Sequence, residues 1–435
     1  MSPTLSGSSL YAAGVAAWVM NSDLLERTTM KALLINRRKW MTLSGSGFAM
    51  SGKLAAARLA PEVAQPSEQK VLPPQILLKD YRPKSIYKVP KSEIKKAKYP
   101  IIDVHSHGPR PIEQLGEWVK VMDAAGVERT VIFTGASTGE RFSQVREIYA
   151  KYPGRFELWC GFDFTSIDQP DFGAKAVKAL EECHRLGAKG VGEIIDKGWG
   201  YRAPAPRGAR AGQGAVGGGQ TSIPRTPGPH PDDPRMDVLW ERCGELGMPI
   251  NIHMSDPIWA YEPMDNTNDG LMNCYTWRID DKAPGILGHN GLLESFERTL
   301  TKHRRTVFIA CHLANLDYDL TRLSQMFDRH PNLYADISAR FAETAPIPRF
   351  VNQFFHKYPD RVLYGTDMPY TQRMFSTTFR IVESSDEHFY ERDLYFNFDY
   401  HWPLHGFGLP DGILKKFYRD NALRAFAQAA RYSKG

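Results

Sequence analysis

The chain has 435 residues, 42% apolar and 24% charged, which supports a large buried core and excludes a chain that is disordered, collagenous or coiled-coil throughout. Length permits about three average domains, yet a single α/β barrel takes roughly 250 to 400 residues. The formal charge of +6 is uneven, with +10 on residues 1–99 and −4 on the other 336, so no nucleic-acid surface is expected outside the first hundred residues.

Residues 1–60 are expected to be a leader, and 61–98, rich in Pro and Lys, an extended linker onto the main domain. After Met30, itself a candidate start, Arg37-Arg38-Lys39-Trp40-Met41 precedes a soft apolar stretch to Met50 and small residues at Ala55, Ala56, Ala57 and Ala60. That order is the pattern of a twin-arginine signal peptide, which predicts a periplasmic protein; a plain basic tail would leave it cytoplasmic. No apolar run approaches the roughly 20 residues of a transmembrane helix. Five cysteines without a C-x-x-C pair predict neither a disulfide framework nor a cysteine zinc site, and are expected to be small buried hydrophobes.

From residue 99 the pattern becomes regular. Short β-branched or aromatic runs fall at 101–105, 130–134, 156–162, 190–194, 249–253, 307–312, 333–337 and 362–365. Amphipathic stretches at 111–125, 172–186, 236–246, 292–303 and 317–329 lie between them. Eight such β/α units predict an α/β fold, a (β/α)8 TIM barrel over 99–435 with a C-terminal helical extension. A doubly wound open sheet is the alternative, but no Gly-rich dinucleotide fingerprint follows the first strand. Three connections, 196–235, 255–290 and 369–410, are too long for simple βα loops and would sit over the C-terminal mouth.

The chemistry-bearing residues cluster at strand ends. His105 and His107, two apart on the first strand, point to one face and can converge on a metal ion. Glu193 ends the fourth run, His253 the fifth and His312 the sixth, while Asp367 follows the eighth. Singly, each has an ordinary structural explanation: a buried salt bridge for Glu193, a backbone hydrogen bond for His312, a turn for Asp367. Jointly they interrupt apolar strands where a barrel places its active site. Arg340 after the seventh strand could pair with a substrate carboxylate. Lys197, Arg202, Trp199, Trp259, Trp277, Tyr370 and Trp402 lie in or beside the insertions and are further candidates for substrate contact.

The motifs D-V-H-S-H at 103–107, V-G-E-I at 191–194, I-N-I-H-M at 250–254, C-H-L-A-N at 311–315, Y-G-T-D-M-P at 364–369 and Y-R-D-N-A-L-R-A-F at 418–426 carry a resemblance. Over about residues 99–430 the chain resembles the amidohydrolase superfamily, and specifically the amidohydrolase-related family that also contains metal-dependent decarboxylases. The resemblance implies that His105, His107, His253 and Asp367 are metal ligands, and that His312 is a second-metal ligand or a catalytic histidine. Glu193 stands where many members carry a carbamylated lysine, and resembles members whose glutamate bridges, leaving one ion or two open. Imidazoles and a carboxylate suit zinc first, with iron, manganese or nickel also acceptable. The cation lowers the pKa of its water towards about 7, Asp367 takes the proton and passes it to a leaving group, and His312 polarises the carbonyl or its oxyanion.

The expected activity is metal-dependent hydrolysis of an amide, lactone or ester-like carbonyl in a small-molecule substrate. The alternative is non-oxidative decarboxylation of an unsaturated or aromatic carboxylic acid. A third reading is a metal-stabilised binding barrel without catalysis. By resemblance, a homodimer is the expected assembly.

Overall fold

The computed structural model describes residues 73–109, 112–201, 228–274, 279–391 and 401–433. The leader with Arg37-Arg38, and the candidates Arg202 and Trp277, lie outside these residues. Eight parallel strands follow one another: β1 (Ile101–Ser106), β2 (Val127–Phe133), β3 (Phe156–Trp159), β4 (Val191–Asp196), β5 (Ile250–Met254), β6 (Phe308–Ala310), β7 (Leu333–Asp336) and β8 (Val362–Leu363). The longer helices are α1 (Leu115–Ala125), α2 (Gly139–Tyr149), α3 (Phe172–Arg185), α4 (Pro234–Leu246), α5 (His289–Lys302), α6 (Leu320–Arg329), α7 (Pro348–Lys357), α8 (Gln372–Glu383) and α9 (Asn421–Tyr432).

Continuous ladders join β1-β2-β3 and β4-β5-β6-β7-β8. Backbone hydrogen bonds cross both remaining seams. Cys160 N donates to Gly190 O (3.0 Å) and Gly192 N to Cys160 O (2.9 Å) between β3 and β4. Val104 N donates to Tyr364 O (3.0 Å) and Asp367 N to His105 O (2.9 Å) between β8 and β1. The eight strands therefore make the (β/α)8 ring, and all their C-terminal ends open at one mouth.

Strand side chains divide into two cores. Ile102, Val104, Val131, Phe133, Trp159, Ile309, Tyr334 and Leu363 fill the interior, together with Ala422, Ala425 and Ala429 of α9. Tyr334 Oη donates to Gln428 Oε1 (2.8 Å) and Phe426 meets Trp159 edge-on (5.9 Å), so α9 closes the end opposite the mouth. The other strand faces, including Ile132, Leu158, Ile250 and Phe308, pack against Trp118, Met122, Leu180, Trp240 and Phe296 of the surrounding helices. Those helices begin and end where local chemistry requires. The Asp233 carboxylate caps α4 through Arg235 N, Pro234 occupies its first turn, and Gly247 (φ 68°) terminates it in the left-handed region. All five cysteines are buried and free.

The N-terminal segment is extended beyond two short turns. It is tied to the barrel where Ser92 N and Oγ donate to the Asp386 carboxylate (2.7 and 2.8 Å) and where Ala97 N donates to Ala125 O (3.0 Å). The third long connection contains α8, which buries Met374, Phe375, Phe379 and Val382. One expectation needs correction. The sixth strand ends at Ala310 rather than 312, because His312 to Asn315 turn left-handed (φ 52° to 58°).

Candidate active site

Two strand irregularities create the floor of the mouth. Regular alternation after Ile102 and Val104 would send His105 outward, but the β1 register shifts between Asp103 and Ser106. His105 instead lies inside, 4.9 Å ring-to-ring from Phe133. The β4 register likewise shifts between Val191 and Ile194, which turns Glu193 inward. Gly192 makes that approach feasible, since a Cβ there would sit 2.9 Å from both Asn251 Cβ and the Phe133 ring. His107 lies just past β1, so the two histidines converge because the chain leaves the strand, not because they share a strand face.

All six ligand candidates meet there. His107 Nε2 is 3.2 Å from Glu193 Oε2 and 3.5 Å from Asp367 Oδ1. His105 Nε2 is 3.9 Å from Glu193 Oε1 and 3.8 Å from Asp367 Oδ1. His312 Nε2 is 3.5 Å from Glu193 Oε1 and 3.9 Å from Asp367 Oδ2. His253 approaches differently, with Nδ1 2.7 Å from Glu193 Oε1 and Nε2 3.7 Å from Asp256. Two sets of donor atoms lie within 4.8 Å of one another: His105, Glu193, Cys311 and His312, and His105, His107 and Asp367. His253 belongs to neither set, and its ring reaches the cluster through Glu193.

Asp336, at the end of β7, holds two of these histidines, His105 by its ring and His312 by its backbone. His105 Nδ1–H donates to its Oδ2 (3.1 Å), and its Oδ1 accepts from His312 N (3.1 Å) and from the Ser338 hydroxyl. His312 Nδ1–H donates to Ser338 O (2.8 Å). Both δ nitrogens are thereby occupied, which leaves both ε nitrogens facing the carboxylates of the cluster. Asn251 Nδ2 donates to Asp336 Oδ2 (3.0 Å), and the Cys311 thiol donates to Asn251 Oδ1 (2.6 Å). Burial and the neighbouring acids push the Cys311 thiol up, which keeps it protonated in this role.

The electrostatics favour added positive charge. Burial works against an ionised Asp336, yet His105, His312 and Ser338 hold it down at about 2. Burial also depresses His105, but Asp336, Asp367 and Glu193 overcome this and raise it to about 10. Glu193 stays well below the usual carboxylate range despite its burial, because three histidines face it. The buried Nε2 atoms of His105 and His253 have no hydrogen-bond partner among the described residues. Unpaired imidazole nitrogens beside ionised carboxylates fit a divalent cation, which would replace the proton that those carboxylates draw onto His105.

The cluster forms the floor of a cavity of about 830 Å3. Lys197 lines it, with Nζ 2.6 Å from Asp256. Arg340 also lines it, but its guanidinium is engaged by Asp317 (3.5 Å), Glu343 (3.6 Å), Ala339 O and Asn315. Tyr370 is on the wall as well. Trp259 is not: it packs on Trp402 (5.6 Å) and in a satellite cluster with Ala260, Cys274 and Ile279, because the second insertion has its own small core.

Against this geometry the family assignment is direct. A family model described as Amidohydrolase matches residues 102–428. The chain belongs to the amidohydrolase-related family. It is an enzyme family of hydrolases and related catalysts, and the metal-type cluster accords with it. No curated protein matches significantly. Among solved structures, an uncharacterised TIM-barrel protein from Bordetella bronchiseptica is similar at 17% identity and TM-score 0.45, over 76% of this chain and 100% of that one. A probable 2-pyrone-4,6-dicarboxylic acid hydrolase from Acinetobacter baumannii, with citric acid bound, is 10% identical at TM-score 0.40, over 75% and 99%. An amidohydrolase from Burkholderia multivorans with bound zinc is 11% identical at TM-score 0.40, over 75% and 99%. Among the described residues no helix is long and apolar enough to cross a membrane.

Asp336, Ser338, Asn251 and Cys311 were not anticipated as site residues. Asp336 carries the same signal as Glu193, a carboxylate ending an apolar strand. The other three become legible only when the strands are side by side.

Proposed function

We propose that this amidohydrolase is a metal-dependent hydrolase of an amide, lactone or ester-like carbonyl. The observation that carries the reading is the convergence of imidazole ε nitrogens and two carboxylates at one point on the cavity floor. In this reading His105, His107 and Asp367, whose donor atoms converge, would hold a divalent cation, zinc first, with Glu193 and His312 completing the site and His253, expected from the sequence as a ligand, supporting it through Glu193. The cation supplies Lewis acidity to the carbonyl oxygen and acidifies water.

The chain's own residues do the rest. Asp367 is the carboxylate of the cluster most open to the cavity, with its side chain 15% exposed against 4% for Glu193. It takes the proton of the attacking water and returns it to the departing nitrogen or oxygen. Burial pushes His312 down to about 4, so it is neutral, and its Nδ1–H is committed to Ser338 O. A neutral ring with a bare Nε2 accepts or ligates, which favours the ligand role over donation to an oxyanion. Asp336 and Ser338 fix the ring orientations that make this so.

Arg340 weighs against the decarboxylase alternative, because Asp317 and Glu343 already compensate the charge that a substrate carboxylate would need. Product analysis separates the two: metal-loaded protein is expected to hydrolyse 4-nitrophenyl acetate or a simple lactone with net addition of water. Release of CO2 from an aromatic carboxylate, without such hydrolysis, would replace this reading with the carboxy-lyase one.

A further inference from the structure

We infer that Asn273 is the specificity-determining residue of this cavity, and that it selects a neutral substrate carrying a carboxamide-like group, a donor beside an acceptor. The inference rests on the hydrolase reading only for the reaction; the recognition it describes is a matter of binding.

Asn273 lies on the short helix Leu271–Cys274 in the second insertion and lines the same cavity as His107, Glu193 and Asp367. It is 4% exposed, yet among the described residues neither its Nδ2 nor its Oδ1 has a hydrogen-bond partner. A buried carboxamide with both ends unpaired is costly unless something that enters the cavity pairs with it. An amide side chain offers donor and acceptor together, so its best complement is another group with the same pair in the opposite order.

The helix that carries Asn273 is held in place. A Cβ at Gly270 would fall 2.0 Å from the Trp259 ring, so the tryptophan packs flush against the residue that starts this turn. Asn268 Nδ2 donates to Trp259 O (3.0 Å), and Cys274 is fully buried beside Ala260 and Ile279. Trp259 thus acts as a positioning residue, supporting Asn273 from behind instead of touching substrate. A preorganised polar group discriminates more sharply than a mobile one.

The charge of the wall points to a neutral ligand. Lys197 is matched by Asp256, and Arg340 by Asp317 and Glu343. A carboxylate brought in by a substrate would meet cations whose charge is already compensated.

Calorimetric titration of metal-loaded protein with benzamide, acetophenone and benzoate tests the inference. Acetophenone keeps the carbonyl acceptor and lacks the N–H donor. Wild type is expected to bind benzamide about tenfold tighter than acetophenone, and Asn273→Leu to remove that difference. Asn273→Asp, a smaller perturbation of the fold, is expected to shift preference from benzamide to benzamidine. Equal affinity for benzamide and acetophenone in wild type, binding of neither at millimolar concentration, or equal weakening of all three probes in Asn273→Leu would overturn it. Turnover of 4-nitrophenyl acetate by wild type is scored separately: no turnover with the benzamide preference intact sinks the hydrolase reading and leaves the recognition by Asn273 standing.

Discussion

Asp336 anchors the site although it was not anticipated as a member of it. One carboxylate orients His105 through Oδ2 and receives His312 N and the Ser338 hydroxyl at Oδ1. Partners of this kind tune ligand basicity, and losing one typically weakens a metal about 10–100-fold. Asp336→Asn is therefore expected to lower divalent-cation affinity by that range in a competition titration against a chromogenic chelator, and unchanged affinity would remove Asp336 from the site's support. A second buried group makes a pH prediction. His289 accepts or donates to Ser255 Oγ (2.6 Å) and Tyr318 Oη (3.2 Å), and burial, with Arg322 nearby, pushes it down to about 4. Its unfolded value is about 6.5, so the unfolded chain binds the proton first. Stability from a neutral His289 is present above pH 6.5 and falls as pH drops from about 6.5 towards 4. His289→Gln should flatten that slope in chemical denaturation at pH 7, 5.5 and 4.5; an unaltered slope would show that other groups cause it.

At the scale of elements, the turn after β6 shows most clearly how the site is shaped. His312, Leu313, Ala314 and Asn315 all have φ between 52° and 58°, a left-handed run that costs roughly 1–2 kcal/mol per non-glycine residue. Neighbouring strands hold it there. Asn315 Nδ2 donates to Met254 O (3.0 Å) and Ser255 O (3.2 Å), Asn315 Oδ1 accepts from Arg340, and Asp336 receives His312 N. Asn315→Ala removes these side-chain bonds and a residue type that tolerates the conformation. We expect a loss of about 2–4 kcal/mol in denaturant unfolding, with weaker metal binding; a loss below about 0.5 kcal/mol would mean that the strain is relieved elsewhere. No local pattern marks such a turn, which is why C-H-L-A-N reads as the end of a strand. The strands were legible because β-branched and aromatic runs have few other uses. The helix α2 was not, since Gly139–Tyr149 is mostly polar and buries only Gly139, Phe142 and Tyr149. Nor was α8, whose Thr and Ser residues resemble loop composition although Thr377 and Thr378 are buried. His105, Glu193, His253, His312 and Asp367 were visible because polar residues at apolar strand ends are conspicuous. Asn273 was not, because it becomes conspicuous only when both ends of its amide prove unpaired.

For the whole molecule, the ring of eight strands does two separate jobs. Its lower interior is filled by apolar side chains and sealed by α9, which gives the fold its core. Its upper interior carries ionised carboxylates and imidazoles that would be costly to bury without a cation. The insertions add a wall with its own small core, so Trp259 supports the cavity from outside it while Asn273 is part of its lining. The net basic charge lies in residues 1–99 and leaves the barrel itself mildly acidic. The mouth is proposed above as a metal-dependent catalytic centre. The most direct measurement is turnover of 4-nitrophenyl acetate by chain stripped with a chelator, dialysed, and then titrated with zinc. Stripping is expected to abolish turnover and stoichiometric metal to restore it; full turnover by metal-free protein would rule out a metal-dependent centre.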